Sequence, residues 1–161
     1  VAGAIRKGLR SIGCWKAEPL AVTGHSLGAA MGTLAAFELH AQGYNLTKVF
    51  TFGSPRVGNA AFARAADAAL AAVPVFRVTR ADDPVVHLPL YDMAFRHVGT
   101  EVYYRGATTE GFRVCNRSHE DATCAFLVPA SEFRVCGHLR YLHPAKNGTL
   151  SGPMGESQCG S

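Results

Sequence analysis

The five residues Gly24-His25-Ser26-Leu27-Gly28 constrain this chain more than any others. They lie between an apolar run, Leu20-Ala21-Val22, and an Ala/Leu-rich stretch over 27–42 that is closed by Gly43. A short apolar run before and a helical pattern after G-x-S-x-G define a strand that turns into a helix within about one residue. Glycines on both flanks permit that tight corner and leave room where helix crosses strand. They hold the Ser26 hydroxyl at the apex, and the N–H of Leu27 falls at a helix N-terminus, where developing negative charge is stabilised. The small residues Gly28, Ala29, Gly32 and Ala36 suit close packing of this helix on a sheet.

The same alternation continues along the chain. Residues 1–15 space Ile5, Leu9 and Ile12 among basic residues, a short amphipathic helix pattern. Lys48 to Phe52 reads as a strand ending in a Gly-Ser-Pro turn, Asn59 to Ala72 as an Ala-rich helix, and Pro74 to Thr79 as a third strand before the loop Arg80-Ala81-Asp82-Asp83-Pro84. Strand, helix, strand, helix, strand is the rhythm of a mostly parallel sheet with flanking helices, an α/β class. A further strand is expected over 101–104 and another over 112–115. From 116 to 137 the expectation is irregular structure stapled by disulfides, then a short helix around 137–143. A Gly/Ser/Pro-rich tail over 146–161 should run extended. The 161 residues suffice for one domain and not for two.

Composition narrows the function. A 48% hydrophobic, 17% charged chain is neither disordered nor collagen-like. The net charge of +4 comes from scattered single or paired basic residues without interleaved aromatics, so no nucleic-acid partner is expected. Cys14, Cys115, Cys124, Cys136 and Cys159 form no CxxC and no Cys/His cluster, which argues against a metal and for disulfides in an oxidising compartment. Three sequons, at Asn45, Asn116 and Asn147, point the same way, toward glycosylation and secretion. No apolar run reaches membrane-spanning length. The start at Val1, without a Met or a signal-peptide pattern, reads as a processed or cut end.

A serine hydroxyl becomes a useful nucleophile when a histidine takes its proton and a carboxylate fixes that histidine's tautomer. In a strand–elbow–helix setting the order along the chain is Ser, Asp, His. Asp83, beyond the third strand and before Pro84, fits the acid, with adjacent Asp82 the alternative. The base is one of His87, His97, His119, His138 and His143. His87 lies too close to Asp83 in the chain, and His138, after Cys136-Gly137 at the start of a helix, is favoured.

Three stretches carry a family resemblance: Thr23-Gly24-His25-Ser26-Leu27-Gly28-Ala29-Ala30, Phe52-Gly53-Ser54-Pro55-Arg56-Val57-Gly58-Asn59 and Asp82-Asp83-Pro84-Val85-Val86-His87-Leu88-Pro89. With His97 to Tyr103 and His138-Leu139-Arg140-Tyr141-Leu142, they resemble the class 3 lipases, which include filamentous-fungal triacylglycerol lipases and feruloyl esterases. The likeness spans roughly residues 18–143. It implies an α/β-hydrolase fold, no cofactor, Ser26 as nucleophile, Asp83 as acid, His138 as base and the Leu27 amide as one oxyanion donor. His25 and His97 become supporting residues, and Val86 and Leu88 either line an acyl pocket or belong to the core. Triacylglycerol at a lipid–water interface is the leading substrate, with feruloyl or other short-acyl esters and phospholipid or diacylglycerol as alternatives; peripheral contact with a lipid interface follows. The resemblance also implies an N-terminal region that this chain lacks, holding further strands, the second oxyanion donor and a lid. A companion chain of the same enzyme, disulfide-linked through Cys159, is therefore expected, and the isolated polypeptide is expected to be inactive without it.

Overall fold

The computed structural model describes residues 2–106, 110–116 and 120–141. In chain order they form α1 (Ala2–Ser11), β1 (Leu20–His25), α2 (Leu27–Ala41), β2 (Leu46–Phe52), β3 (Gly58–Asn59), α3 (Ala60–Ala69), β4 (Val75–Arg80), β5 (Phe95–Arg96), β6 (Thr100–Tyr104), β7 (Arg113–Val114) and α4 (Val135–Leu139). One sheet runs β1-β2-β4-β6-β7. The first four strands are parallel, and β7 returns antiparallel to β6. The two-residue pair β3–β5, which the sequence pattern does not signal, is antiparallel.

The spacing of small and apolar residues explains this packing. In α2 the buried residues Ala29, Thr33, Ala36 and Leu39 recur at helical intervals and form one stripe. Ala36 meets Leu46, Val49, Leu70, Val73 and Val75, with Leu20 and Val22 packed at the edge of the same cluster. α3 is opened by Asn59, whose side chain accepts the Phe62 N–H at 2.9 Å. Its Ala63 and Ala66 pack with Val98, Phe37 and Phe62. Thus α2 and α3 cover one face of the sheet. Strand alternation turns Phe50 and Phe76, register partners with ring centroids 5.3 Å apart, to the other face, where Phe50 is exposed.

A second core lies beneath the loop after β4. Ala81, Val86, Tyr103, Cys115, Cys124, Ala125 and Val128 pack together there, with Phe133 against them. The Cys115–Cys124 disulfide ties this region, as the irregular stretch required. Residues 125–127 and 130–132 are single 3-10 turns, and α4 begins at Val135, two residues before the expected start. Cys136 is also disulfide-bonded and Cys14 is free. Cys159, the tail over 146–161, His119, His143 and Asn147 lie outside the described residues. Among the described residues no helix is long and apolar enough to cross a membrane.

The two elbow glycines are not equivalent. A Cβ at Gly24 would stand 2.4 Å from the Gly28 carbonyl oxygen and 2.8 Å from the Ala29 nitrogen, both backbone atoms of α2. At Gly28 a Cβ meets nothing within 4 Å. Both glycines were expected to make room; the structure corrects this for Gly28, because of the two only Gly24 stands where α2 meets β1. Gly24→Ala should therefore destabilise the protein by roughly 1–3 kcal/mol in denaturant titration. Gly28→Ala, in an exposed helical position, should be neutral or gain up to about 1 kcal/mol.

Candidate active site

The residues that matter come from the C-terminal ends of three neighbouring parallel strands and from α4. Ser26 follows β1 directly and opens α2 with φ 58° and ψ −130°. For a residue other than glycine that is a strained backbone, held here by Ser26 N–H donating to the Phe52 carbonyl at 3.0 Å and by the Ser26 carbonyl accepting from Ala29 N–H at 2.9 Å. The corner presents the hydroxyl, and His138 Nε2 lies 2.7 Å from Ser26 Oγ. His138 Nδ1 lies 3.0 and 3.1 Å from the two carboxylate oxygens of Asp83. Serine, imidazole and carboxylate thus form one continuous hydrogen-bonded chain across 112 residues of sequence.

Asp83 is fully buried. Burial alone would raise its pKa, but donors from His138, Tyr141 and the Val85 N–H outweigh it and hold the carboxyl below its ordinary value. The Val85 N–H reaches Oδ1 at 2.7 Å and the Tyr141 hydroxyl reaches Oδ2 at 2.5 Å. Asp82, the alternative acid, turns away: its carboxylate pairs with Arg80 Nε at 3.1 Å and its carbonyl accepts the Arg134 N–H at 2.7 Å. Because a Cβ on Gly137 would stand 2.5 Å from Asp82 Cγ, α4 can approach the acid loop only with glycine there.

His25, expected as a support, donates from Nε2 to the His138 carbonyl at 2.7 Å, and its ring lies 4.5 Å from the His138 ring. Leu27 begins α2 with its side chain exposed, so its N–H belongs to the first helical turn, where amides have no intrahelical acceptor. His97 is not at the serine. It is buried behind the acid loop and donates from Nε2 to the Val86 carbonyl at 2.8 Å. Burial, reinforced by the charges of Arg77 and Arg56, pushes its pKa well down and keeps the ring neutral. Val86 is buried in the second core, whereas Leu88 is exposed.

Two residues escaped sequence reasoning. Tyr141 is buried, donates to Asp83 and accepts the Arg80 N–H at 3.2 Å. Burial and the neighbouring carboxylate push its pKa far up, so it stays a donor. Its position three residues after His138 was the available signal. Gly53, read only as part of a turn, has φ 56°; a Cβ there would stand 2.9 Å from Asp83 Oδ2 and Tyr141 Cε2, and 3.0 Å from His138 Cε1. Among the described residues the one group of close metal-type donors is Glu101, Cys115 and Cys124, but both sulfurs are spent in the disulfide.

An elbow serine on a mostly parallel sheet, with later loops delivering carboxylate and imidazole, defines an α/β-hydrolase domain. Residues 3–93 match the profile of the lipase (class 3) family, and the chain belongs to that family. The secreted mono- and diacylglycerol lipase A of Penicillium cyclopium is 48% identical over 84 residues, which are 52% of this chain and 27% of that protein. A lipase of Rhizomucor miehei is 35% identical over 127 residues, 76% of this chain and 34% of its own length. The chain thus spans about a third or less of these relatives. The Rhizomucor miehei lipase–propeptide complex superposes with a TM-score of 0.70 at 31% identity, covering 87% of this chain and 44% of that one. A triacylglycerol lipase whose catalytic centre is described as a serine protease triad gives 0.70 at 33% identity, covering 88% and 52%.

Two outcomes test these contacts. Tyr141→Phe removes a charge-assisted donor, so it should cost roughly 1.5–3 kcal/mol at neutral pH. The difference from wild type should shrink as pH falls below the carboxylate range, where Asp83 is protonated in both proteins. Burial, with help from Arg56, pushes the His87 pKa down to about 4. The unfolded chain therefore binds the extra proton first. Stability should fall as pH drops from about 6.5 to about 4, and His87→Gln should flatten that part of the curve in thermal melts across pH.

Proposed function

We propose that this chain is the portion of a secreted acylglycerol ester hydrolase that supplies nucleophile, base, acid and one oxyanion donor. The observation that carries the reading is the 2.7 Å contact of Ser26 Oγ with His138 Nε2, continued to a buried carboxylate at 3.0 Å. His138 takes the Ser26 proton as Oγ attacks the ester carbonyl, and the Leu27 N–H stabilises the oxyanion. His138 then protonates the leaving alcohol, and in the second half-reaction it activates water to release the acid. Asp83 keeps the imidazole with its proton on Nδ1 and its free electron pair toward Ser26.

Triacylglycerol as substrate is supported by the likeness to a triacylglycerol lipase over 88% of the chain. Preference for mono- and diacylglycerols is a second reading, favoured by the higher identity, 48%, to the Penicillium protein. Secretion is supported by the names of the relatives, by the Cys115–Cys124 disulfide and by the exposed Asn45 and Asn116 of two sequons, which we assign as glycosylation sites. A companion segment of the same enzyme is supported by the exposed Ile12, Trp15, Phe50 and Val114 and by β1 ending the sheet among the described residues. It would supply the second oxyanion donor.

The test is hydrolysis of tri-, di- and monoacylglycerols by the whole protein, beside its Ser26→Ala variant. Turnover should fall by roughly 10⁴-fold or more in Ser26→Ala. Relative rates on the three glycerides then choose between the two substrate readings. Turnover that survives Ser26→Ala, or no ester hydrolysis by the whole protein, contradicts the proposal.

A further inference from the structure

The loop that carries Asp83 is held from behind by a residue that the proposed chemistry does not use. Four successive carbonyls of this loop, at residues 86–89, find donors outside it. Val86 receives the His97 ring. The other three all go to Arg56: its backbone N–H donates to Leu88 at 2.7 Å, and its Nη1 donates to Pro89 at 2.8 Å and, more closely still, to His87. The rest of the guanidinium forks onto Glu120, Nε to Oε1 at 2.8 Å and Nη2 to Oε2 at 2.9 Å. Both side chains of this ion pair are buried, 3% and 8% exposed.

From this arrangement we infer that Arg56 is a positioning residue for Asp83, acting through the backbone of residues 86–89; the inference rests on the reading of Asp83 as the acid. Burying a guanidinium is costly unless every donor is used in good geometry. Here three nitrogens meet a carboxylate and two carbonyls at once, which needs a planar fork. The fork fixes where the loop stands, and the loop fixes the carboxylate: the Asp83 side chain is bonded to the Val85 N–H, and the His87 N–H closes back onto the Pro84 carbonyl at 3.2 Å. Glu120 is held in turn at the base of a turn in which Asp121 accepts the N–H groups of Asn116 and Thr123, inside the span closed by Cys115–Cys124. Loop, guanidinium and disulfide-tied turn make one rigid path to the site. A lysine offers a point charge and cannot span the same acceptors.

The experiment compares the whole protein with Arg56→Lys, Arg56→Gln and Leu70→Ala, the last a control in the core of the helix-covered face, away from the site. Two readouts are taken below every melting temperature: kcat and KM on a soluble ester, and the proton NMR signal of the hydrogen-bonded His138 Nδ1–H, which needs no turnover. A displacement of Asp83 on the scale of an ångström should lower kcat on the order of tenfold to a hundredfold in both Arg56 variants. KM should stay within about twofold, since substrate contacts are untouched, and the Nδ1 proton signal should move or broaden. Leu70→Ala should lose thermal stability yet keep both readouts. Arg56 variants that melt earlier but keep wild-type kcat and an unchanged Nδ1 signal would overturn the inference. If only one of the two folds, its readouts decide. A wild type that hydrolyses no ester fails the proposed function, and the Nδ1 signal still decides the clamp.

Discussion

A carboxylate with no exposed surface is the most demanding group in this protein, and much of the architecture answers to it. Left bare, a charge taken out of water would bind a proton and lose its function. Asp83 keeps its charge because the Val85 N–H, the Tyr141 hydroxyl and the His138 ring all converge on its two oxygens. Each donor has its own structural precondition. The Val85 amide requires the loop to double back directly after β4. Tyr141 requires α4 to approach closely enough that Gly137 touches Asp82. The imidazole requires Gly53, since any side chain there would press on Asp83, Tyr141 and His138.

The strained corner at Ser26 is the counterpart of that buried charge. A left-handed serine is tolerated because β1, the Phe52 carbonyl and the first turn of α2 over-determine it, and because Gly24 lets the helix pass within van der Waals contact of the strand. His25 then links the corner to α4 through the His138 carbonyl. Ser26 and His138 are thereby joined twice, once from hydroxyl to imidazole and once through the His138 carbonyl. The distances between them reflect the fit of β1, α2 and α4.

The sequence made legible what local pattern encodes. Alternation and small-residue spacing located β1, α2, β2, α3 and β4 to within a few residues, because each of these elements buries one face in the cores around α2. Ser26, Asp83 and His138 were named from motif order and family likeness, and the structure brings them into one hydrogen-bonded chain. What stayed hidden depends on contacts distant in sequence. Tyr141 and Gly53 mean nothing until α4 folds over the end of β2. Arg56 stood only as one residue of a family-like stretch until its fork was seen between residues 87–89 and Glu120. Gly28 was misjudged because a motif does not say which of two glycines faces the neighbouring backbone. His97 was expected to be a support, and its position behind the loop, on the Val86 carbonyl, came only with the structure.

The most direct test of the central claim is where a fluorophosphonate ester attaches to the whole protein, read by mass spectrometry of its peptides. A single adduct on Ser26, formed rapidly in the wild type and very slowly in His138→Ala, is the result this account predicts. An adduct on another residue, or reaction at Ser26 that is unchanged without His138, would contradict it.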